Sequence, residues 1–98
     1  MKFEWDEHKR EVNVQKHGFD FKDAAAVFEH PMLRRLDTRF DYDEDRWVGI
    51  GMTYNRVLVV VYIEYDEDDI IRIISLRKAL NHERKQYERY IAYGLGSN

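Results

Sequence analysis

Basic side chains cluster in one segment of the sequence, RIISLRKALNHERKQYERY, which runs from Arg72 to Tyr90. An arginine guanidinium donates two parallel hydrogen bonds to phosphate oxygens, and its fixed charge meets the negative charge of the anion. Arg77 follows the apolar part of a predicted strand, whereas Arg84 and Lys85 fall in the first turns of a predicted helix. The segment is therefore interpreted either as a phosphate-binding site or as a solvated helix face that follows a strand. Spacing alone favours the solvated face, because arginines also cap helices and pack through their apolar stems.

The other side chains with chemical potential give weaker signals. The four histidines form no HExxH motif and have no cysteine companions, so neither a zinc site nor any other cofactor is predicted. The carboxylates from Asp41 to Glu44 lack the central glycine and final glutamate of an EF-hand, and a solvated turn explains them better. Gly49 and Gly51 lie within a predicted strand, where glycine indicates close backbone approach or a bulge rather than a phosphate loop.

Strands must position the basic segment, and three runs of β-branched and aromatic residues predict an antiparallel meander. The predicted strands are Arg46 to Met52, Arg56 to Tyr65 and Ile70 to Leu76. The turn-like segments TYNR and YDEDD separate them. A further strand is predicted from Met32 to Asp37.

Helices are predicted on both sides of the meander in the sequence. The segment WDEHKREVNVQKHG predicts a helix that Asp6 opens and Gly18 closes with a left-handed cap. Asp20 caps a second predicted helix, which is rich in alanine, and Asn81 caps a C-terminal helix that stops at Gly94. The predicted fold class is α+β, with two N-terminal helices packed on an antiparallel meander of three or four strands and a C-terminal helix.

Composition limits the class of protein. The 98 residues suit a single domain, and the absence of cysteine excludes disulfides and thiolate chemistry. Charged residues interrupt the N-terminus, so no signal peptide is predicted, and Val57 to Ile63 is too short an apolar run for a membrane span. A cytoplasmic protein without membrane contact is expected. The net charge of −3 is not typical of a nucleic-acid binder, yet acidic residues concentrate at Asp41 to Asp45 and Glu64 to Asp69, apart from the basic segment.

Four blocks of the sequence, spread over nearly the whole chain, are specific when their order and spacing are taken together. They are FEWDEHKREVNVQKHGFDF, an alanine-rich segment with Phe28, LDTRFDYDEDRWVGIG, and RIISLRKALNHERKQYE. The residues that carry the likeness are Trp5, Asp6, Lys9, Asn13, Lys16, His17, Gly18, Asp37, Arg39, Glu44, Arg46, Arg72, Ile73, Ile74, Ser75, Arg77, Ala79, Glu83, Arg84 and Tyr87. Together the blocks resemble the BrnT family of bacterial type II toxins.

The resemblance implies a single BrnT-like domain over residues 1–98, a RelE-like fold and ribonuclease activity that inhibits translation. It also implies a BrnA-like antitoxin with a ribbon-helix-helix domain, so that the toxin meets DNA only through the antitoxin. A homodimer and a heterotetramer with the antitoxin are both compatible with it. Because the substrate is then RNA, the resemblance favours the phosphate-binding interpretation of the segment from Arg72 to Tyr90.

Metal-independent RNA cleavage requires three things: a deprotonated 2′-hydroxyl, a stabilised phosphorane and a protonated 5′-oxygen. Arginines are the best clamps for the phosphorane, and Glu44 or Glu83 is the candidate base if burial raises its proton affinity. Lys16, His17 or Tyr87 is the candidate acid or orienting donor. The predicted catalytic residues are Arg77, Glu44, Arg46, Arg72 and Glu83, and the predicted RNA-binding residues are Lys16, His17, Arg39, Lys78 and Arg84.

Each of these residues also has a structural interpretation. Glu44 with Arg46, and Glu83 with Arg84, can belong to ion-pair networks, and Tyr87 is expected to pack against the sheet. At the level of the whole chain, the alternative is a non-catalytic module that binds its antitoxin and takes part in transcriptional autoregulation. The acidic net charge favours that alternative, because such a module need not contact nucleic acid itself.

Overall fold

The computed structural model describes residues 1–95, which form a five-stranded mixed sheet with helices against both of its faces. In chain order the elements are β1 (Lys2–Trp5), α1 (Glu7–His17), a 3-10 turn (Phe21–Asp23), α2 (Ala24–Val27), β2 (Met32–Leu36), β3 (Trp47–Thr53), β4 (Arg56–Tyr65), β5 (Ile70–Lys78), α3 (Asn81–Arg89) and a π-helical segment (Tyr90–Leu95). The strand order across the sheet is β1-β5-β4-β3-β2.

The predicted architecture of two N-terminal helices on an antiparallel meander of three or four strands is wrong. The chain begins with a strand, β1, which pairs in parallel with β5 and makes the sheet mixed. Four residues with only Phe3 and Trp5 as apolar members are too short to show a strand period, and their partner lies more than sixty residues away. The second predicted helix is also interrupted, because Phe21–Asp23 forms a 3-10 turn before the short α2.

The four later strands pair antiparallel in chain order, close to the predicted boundaries. A tight turn joins β3 to β4, with positive φ at Tyr54 (49°) and Asn55 (65°), as two-residue hairpins require. β5 extends beyond Leu76 to Lys78, and a bulge opposite Val61 and Tyr62 changes its register. This extension carries Arg77 out to the end of the sheet.

Local capping explains where the helices begin and end. The Asp6 carboxylate accepts a hydrogen bond from the Lys9 amide at 3.0 Å, and Gly18 closes α1 with φ 78°, as the sequence predicts. Asn81 is not the cap of α3 but its first residue, and Leu80 occupies the cap position. Gly94 does not stop the last helix, because the chain continues there in π-helical form.

The sheet has two different faces. One face, here called the α2 face, packs against the 3-10 turn and α2 through buried side chains that include Phe21, Val27 and Tyr62. The opposite face, here called the α3 face, is covered by α3 around Val59 and Tyr87. The cross-strand register places Arg77, Ser75 and Arg72 on the α3 face, beside Val59, Val61 and Ile63 of β4.

Gly51 confirms the interpretation of close backbone approach. A Cβ atom at this position would lie 2.6 Å from Cγ1 of Val27, a side chain with no solvent exposure. The glycine therefore lets α2 sit directly against β3.

Candidate active site on the α3 face

Arg77 is fixed by a buried carboxylate at the junction of β5 and α3. Its two terminal nitrogens donate hydrogen bonds to the two carboxylate oxygens of Glu83, at 2.8 and 2.9 Å. Glu83 Oε1 also accepts the Leu80 amide at 2.8 Å, so the same carboxylate caps α3. The Glu83 side chain is 9% exposed, whereas that of Arg77 is 33% exposed and reaches solvent. The strand end and helix start thus hold one guanidinium in a defined position.

The electrostatics of this pair assign a role to each partner. The hydrogen bonds from Arg77 lower the pKa of Glu83 despite its burial, and the Glu83 carboxylate raises the pKa of Arg77. Glu83 is therefore ionised and already accepts three hydrogen bonds, which makes it a poor proton acceptor. The geometry favours Glu83 as the group that orients Arg77.

His17, at the end of α1, lies within electrostatic range of Arg77. The Asn13 side-chain amide donates to the Leu76 carbonyl at 2.8 Å, and its oxygen accepts the Leu76 amide at 3.2 Å. These two bonds seat the last turn of α1 on the edge of β5 beyond the end of β1. Burial, and then the positive charges of Lys16 and Arg77, lower the pKa of His17, so its imidazole is neutral near pH 7.

Arg39 reaches the group from the loop between β2 and β3. The Asp37 carboxylate, which has no exposed surface, accepts bonds from Nε and Nη2 of Arg39 at 3.0 Å each and from the Tyr42 hydroxyl at 3.1 Å. This pairing holds the pKa of Asp37 well below its usual range. The Arg39 charge is felt at Arg77, where it opposes the larger effect of Glu83 on the guanidinium pKa.

A second group of predicted residues lies farther along the α3 face. Arg72 pairs with Glu4 of β1 at 2.5 Å, and Glu44 accepts the Tyr65 hydroxyl at 3.3 Å. The Arg46 guanidinium stacks over the Tyr42 ring, 4.2 Å from its centre. Arg72 and Arg77 are five residues apart on one strand, about 16 Å at the usual rise. The two guanidiniums pair with different carboxylates, Glu4 and Glu83, and so belong to separate groups.

The side chains of the remaining predicted residues lie outside both groups, although the Lys78 backbone carbonyl accepts a hydrogen bond from Arg77 at 3.3 Å. Lys78 follows Arg77 on the strand and has the opposite parity, so it lies on the other face of β5. Arg84 pairs with Glu88 across one turn of α3 at 3.7 Å, rather than with Glu83. Tyr87 is 3% exposed and donates its hydroxyl to the Pro31 carbonyl at 2.9 Å, which confirms the packing interpretation.

Sequence reasoning did not find the residues that support the site. Asn13 and Asp37 carry part of the family likeness, but nothing in their spacing shows that Asn13 bonds a strand 63 residues away or that Asp37 is buried. No local pattern in the sequence indicates that Glu4 pairs with Arg72 or that Tyr65 bonds Glu44. The only local signal was the two-residue spacing of Asp37 and Arg39, which suits a carboxylate and a guanidinium in one loop.

Among residues 1–95, no three His, Cys, Asp or Glu side chains are placed to hold a metal ion together. In the same part of the chain, no helix is long and apolar enough to cross a membrane.

Comparison with known proteins adds one finding. A family model described as the ribonuclease toxin BrnT of a type II toxin-antitoxin system matches residues 5–83. The matched range contains every candidate site residue described above except Arg84 and Tyr87. No curated protein matches the chain.

Proposed function

The chain belongs to the BrnT family of ribonuclease toxins of type II toxin-antitoxin systems, and on that premise we propose that it inhibits translation by cleaving RNA without a divalent metal ion. The observation that carries the proposal is the guanidinium of Arg77, which Glu83 fixes and whose charge acts on the His17 imidazole. Arg77 is held by Glu83 at the end of β5, and His17 lies close enough for the Arg77 charge to lower its pKa.

Arg77 binds the scissile phosphate and stabilises the pentavalent phosphorane. The charge on the phosphate oxygens increases during the attack, and a preorganised guanidinium meets that increase without reorganisation. Glu83 acts as a positioning residue, because its two hydrogen bonds set the plane of the guanidinium before the substrate arrives. Arg39 adds positive charge from the loop between β2 and β3.

His17 accepts the proton of the 2′-hydroxyl. The 2′-oxygen then attacks the adjacent phosphorus, and the bond from phosphorus to the 5′-oxygen breaks. Lys16, whose charge also reaches His17, donates the proton that the leaving 5′-oxygen requires. The products are a 2′,3′-cyclic phosphate and a free 5′-hydroxyl, and every proton is accounted for without a metal-bound water.

The second group of basic residues serves the flanking nucleotides. Arg72 lies about 16 Å of strand away from Arg77, and Arg46 immediately precedes β3, so in this proposal both bind neighbouring phosphates rather than the scissile one. Glu44 orients Tyr65 in the same region through their hydrogen bond. In this proposal Lys78 and Arg84 contribute only long-range attraction for RNA.

A type II toxin has a cognate antitoxin. We propose that this antitoxin carries a ribbon-helix-helix DNA-binding domain and that the toxin meets DNA only through it. A homodimer or a heterotetramer with the antitoxin is the corresponding assembly. Light scattering on the co-expressed pair would give the stoichiometry.

Cleavage of purified RNA with and without EDTA tests the proposed mechanism. Cleavage should continue at the same rate in EDTA, and the fragments should end in a 2′,3′-cyclic phosphate. Loss of cleavage in EDTA with recovery in magnesium would contradict the mechanism. Absence of cleavage, together with normal growth of cells that express the chain, would instead favour a non-catalytic role in antitoxin binding.

A further inference from the structure

The loop between β2 and β3 displays an aromatic ring to solvent. Phe40 is 67% exposed, although the loop on which it stands is not loosely held. The buried Asp37 carboxylate binds the backbone amide and side chain of Arg39 on one side of Phe40 and the Tyr42 hydroxyl on the other. Because the ring is exposed, it buries little apolar surface, and packing of the core does not explain its fixed position.

The surroundings of Phe40 suit a flat ligand that is linked to an anion. The Arg39 guanidinium lies over the Phe40 ring, 5.8 Å from its centre, and the Tyr42 ring meets it edge-on at 5.8 Å between centres. The Arg39 charge also opposes the rise in the Arg77 pKa, so Arg39 lies within electrostatic range of that guanidinium. An unpaired nucleotide combines these two requirements, because its base has a π-face and its phosphate a negative charge.

We propose that Phe40 is a stacking platform for an unpaired nucleobase of single-stranded RNA, one that lies beside the scissile phosphate. This inference rests on the proposed ribonuclease function and adds a base-binding subsite to it. The acidic neighbours Asp41 and Asp43 repel phosphates from the loop, which leaves the backbone on the Arg77 side and the base on the loop side. Their carboxylates can accept hydrogen bonds only, so they favour bases that present amino groups.

Binding of an oligonucleotide that cannot be cleaved tests the subsite without requiring catalysis. The probe is a fluorescent single-stranded oligoribonucleotide with a 2′-O-methyl group at every position, and the readout is fluorescence anisotropy. Phe40→Ala should weaken binding about tenfold, the scale of losing one base-aromatic stack. Phe40→Trp should restore binding, whereas Phe40→Leu, which is apolar but has no π-face, should not.

Two controls separate stacking from charge and from general loss of surface. Tyr54 is 83% exposed on the turn between β3 and β4, at the other end of strand β3 from the Phe40 loop, and Tyr54→Ala should leave binding unchanged. Inorganic polyphosphate, which has charges but no bases, should bind the parent and Phe40→Ala equally. The salt dependence of oligonucleotide binding should also keep its slope in Phe40→Ala, because no phosphate contact is lost.

The outcomes distinguish this inference from the proposed function. Equal binding by Phe40→Ala and the parent would overturn the platform even if RNA is cleaved, and would assign the exposed ring to a protein contact instead. Full binding by Phe40→Leu, or no binding of the probe by the parent, would overturn it as well. Loss of binding in Phe40→Ala by a chain that cleaves no RNA would support the platform and contradict the ribonuclease mechanism.

Discussion

At the scale of single residues, the site is organised by carboxylates that are not themselves reactive. Glu83 fixes Arg77, and Asp37 fixes Arg39 and Tyr42. Each carboxylate is buried behind the cation it holds, so the guanidinium faces solvent with its plane already set. Such positioning reduces the entropy that substrate binding must remove, which is one of the largest contributions that a static arrangement can make to a rate.

Arg77→Lys tests whether the fork of the guanidinium matters beyond its charge. Lysine keeps the ion pair with Glu83 but donates from a single nitrogen, so it cannot hold two phosphate oxygens in one plane. We expect the rate of RNA cleavage to fall about tenfold to a hundredfold while the thermal midpoint hardly changes. Single-turnover kinetics and a thermal melt of each variant give the two quantities.

The matched control is Arg89→Lys, at an exposed position in the last turn of α3. It should alter neither quantity. Arg77→Ala is a poorer probe, because it leaves the Glu83 carboxylate, 9% exposed, without its cation and so mixes folding with catalysis. If Arg77→Lys cleaves as fast as its parent, Arg77 is a structural partner of Glu83 and the basic segment is a strand-to-helix junction.

The lowered pKa of His17 predicts a pH dependence for both cleavage and stability. Burial and the neighbouring cations lower the pKa of His17 below 6.5, its ordinary value, so the base form should predominate at neutral pH. Cleavage should decline in acid with a midpoint below pH 6.5, and His17→Gln should remove this decline along with most of the rate. An NMR titration of the His17 ring protons gives the pKa directly.

The sign for stability follows from the same shift. The unfolded chain binds the proton more tightly than the folded chain, so the free energy of unfolding should decrease as pH falls below about 6.5 and level off once both states are protonated. His17→Gln should lose this component of the pH dependence. A titration midpoint above 6.5 would mean that neighbouring carboxylates, not Lys16 and Arg77, dominate the surroundings of the imidazole.

At the scale of elements, the site depends on a pairing that is remote in sequence. β1 covers the edge of β5 only from Ile70 to Ile73, and α1 then takes over that edge through Asn13. At Leu76 the Asn13 side chain takes the place of a neighbouring strand. It accepts a hydrogen bond from the Leu76 backbone amide and donates one to the Leu76 carbonyl. This contact holds α1 against β5, and the Arg77 charge acts on the His17 imidazole at the end of α1.

Asn13→Ala should therefore destabilise the fold more than a surface change on the same helix. It leaves the buried amide and carbonyl of Leu76 without partners, and we expect the free energy of unfolding to fall by about 2 to 4 kcal/mol. Urea denaturation measures this change. Gln15→Ala, at an exposed position on α1, is the control and should alter stability by less than about 0.5 kcal/mol. Equal effects of the two variants would show that the α1 edge contact contributes little.

Prediction from the sequence fails at these same remote pairings. The Asp6 and Gly18 caps and the strands β3, β4 and β5 follow from local composition, and their predicted bounds lie close to the observed ones. The parallel strand β1 and the Asn13 contact do not, because both are pairings across more than sixty residues. Arg77 and Glu83 were identified as candidates, but their direct pairing depends on the backbone path through Ala79 and Leu80, which no periodicity encodes.

At the scale of the whole molecule, one acidic run is separated from the basic site along the sheet. The acidic turn 66–69 joins β4 to β5 before Ile70, whereas Arg77 lies at the opposite end of β5. A net charge of −3 therefore does not prevent a local positive region around Arg77. The separation of charge predicts that RNA approaches the sheet from the end that carries Arg77.

The turn from β4 to β5 offers a test of this separation, because its Asp66, Glu67 and Asp68 side chains are exposed. Changing them to Asn, Gln and Asn removes three negative charges from a net charge of −3. We expect the association rate with the uncleavable oligonucleotide to rise roughly twofold to fivefold at low salt, since the rate of encounter depends on the field of the whole protein. Stopped-flow anisotropy measures that rate, and the cleavage rate of bound RNA should not change.

The control places the same change in net charge on the helical layer of the α2 face. Glu11→Gln, Asp23→Asn and Glu29→Gln neutralise three exposed carboxylates there, and this variant should raise the association rate less than the turn variant does. At 1 M salt, where the screening length is about 3 Å, both variants should associate as fast as the parent. An equal increase from both variants at low salt would mean that total charge alone governs the encounter. A difference that persists at 1 M salt would mean that the turn touches RNA directly, because only contacts within the screening length survive that concentration.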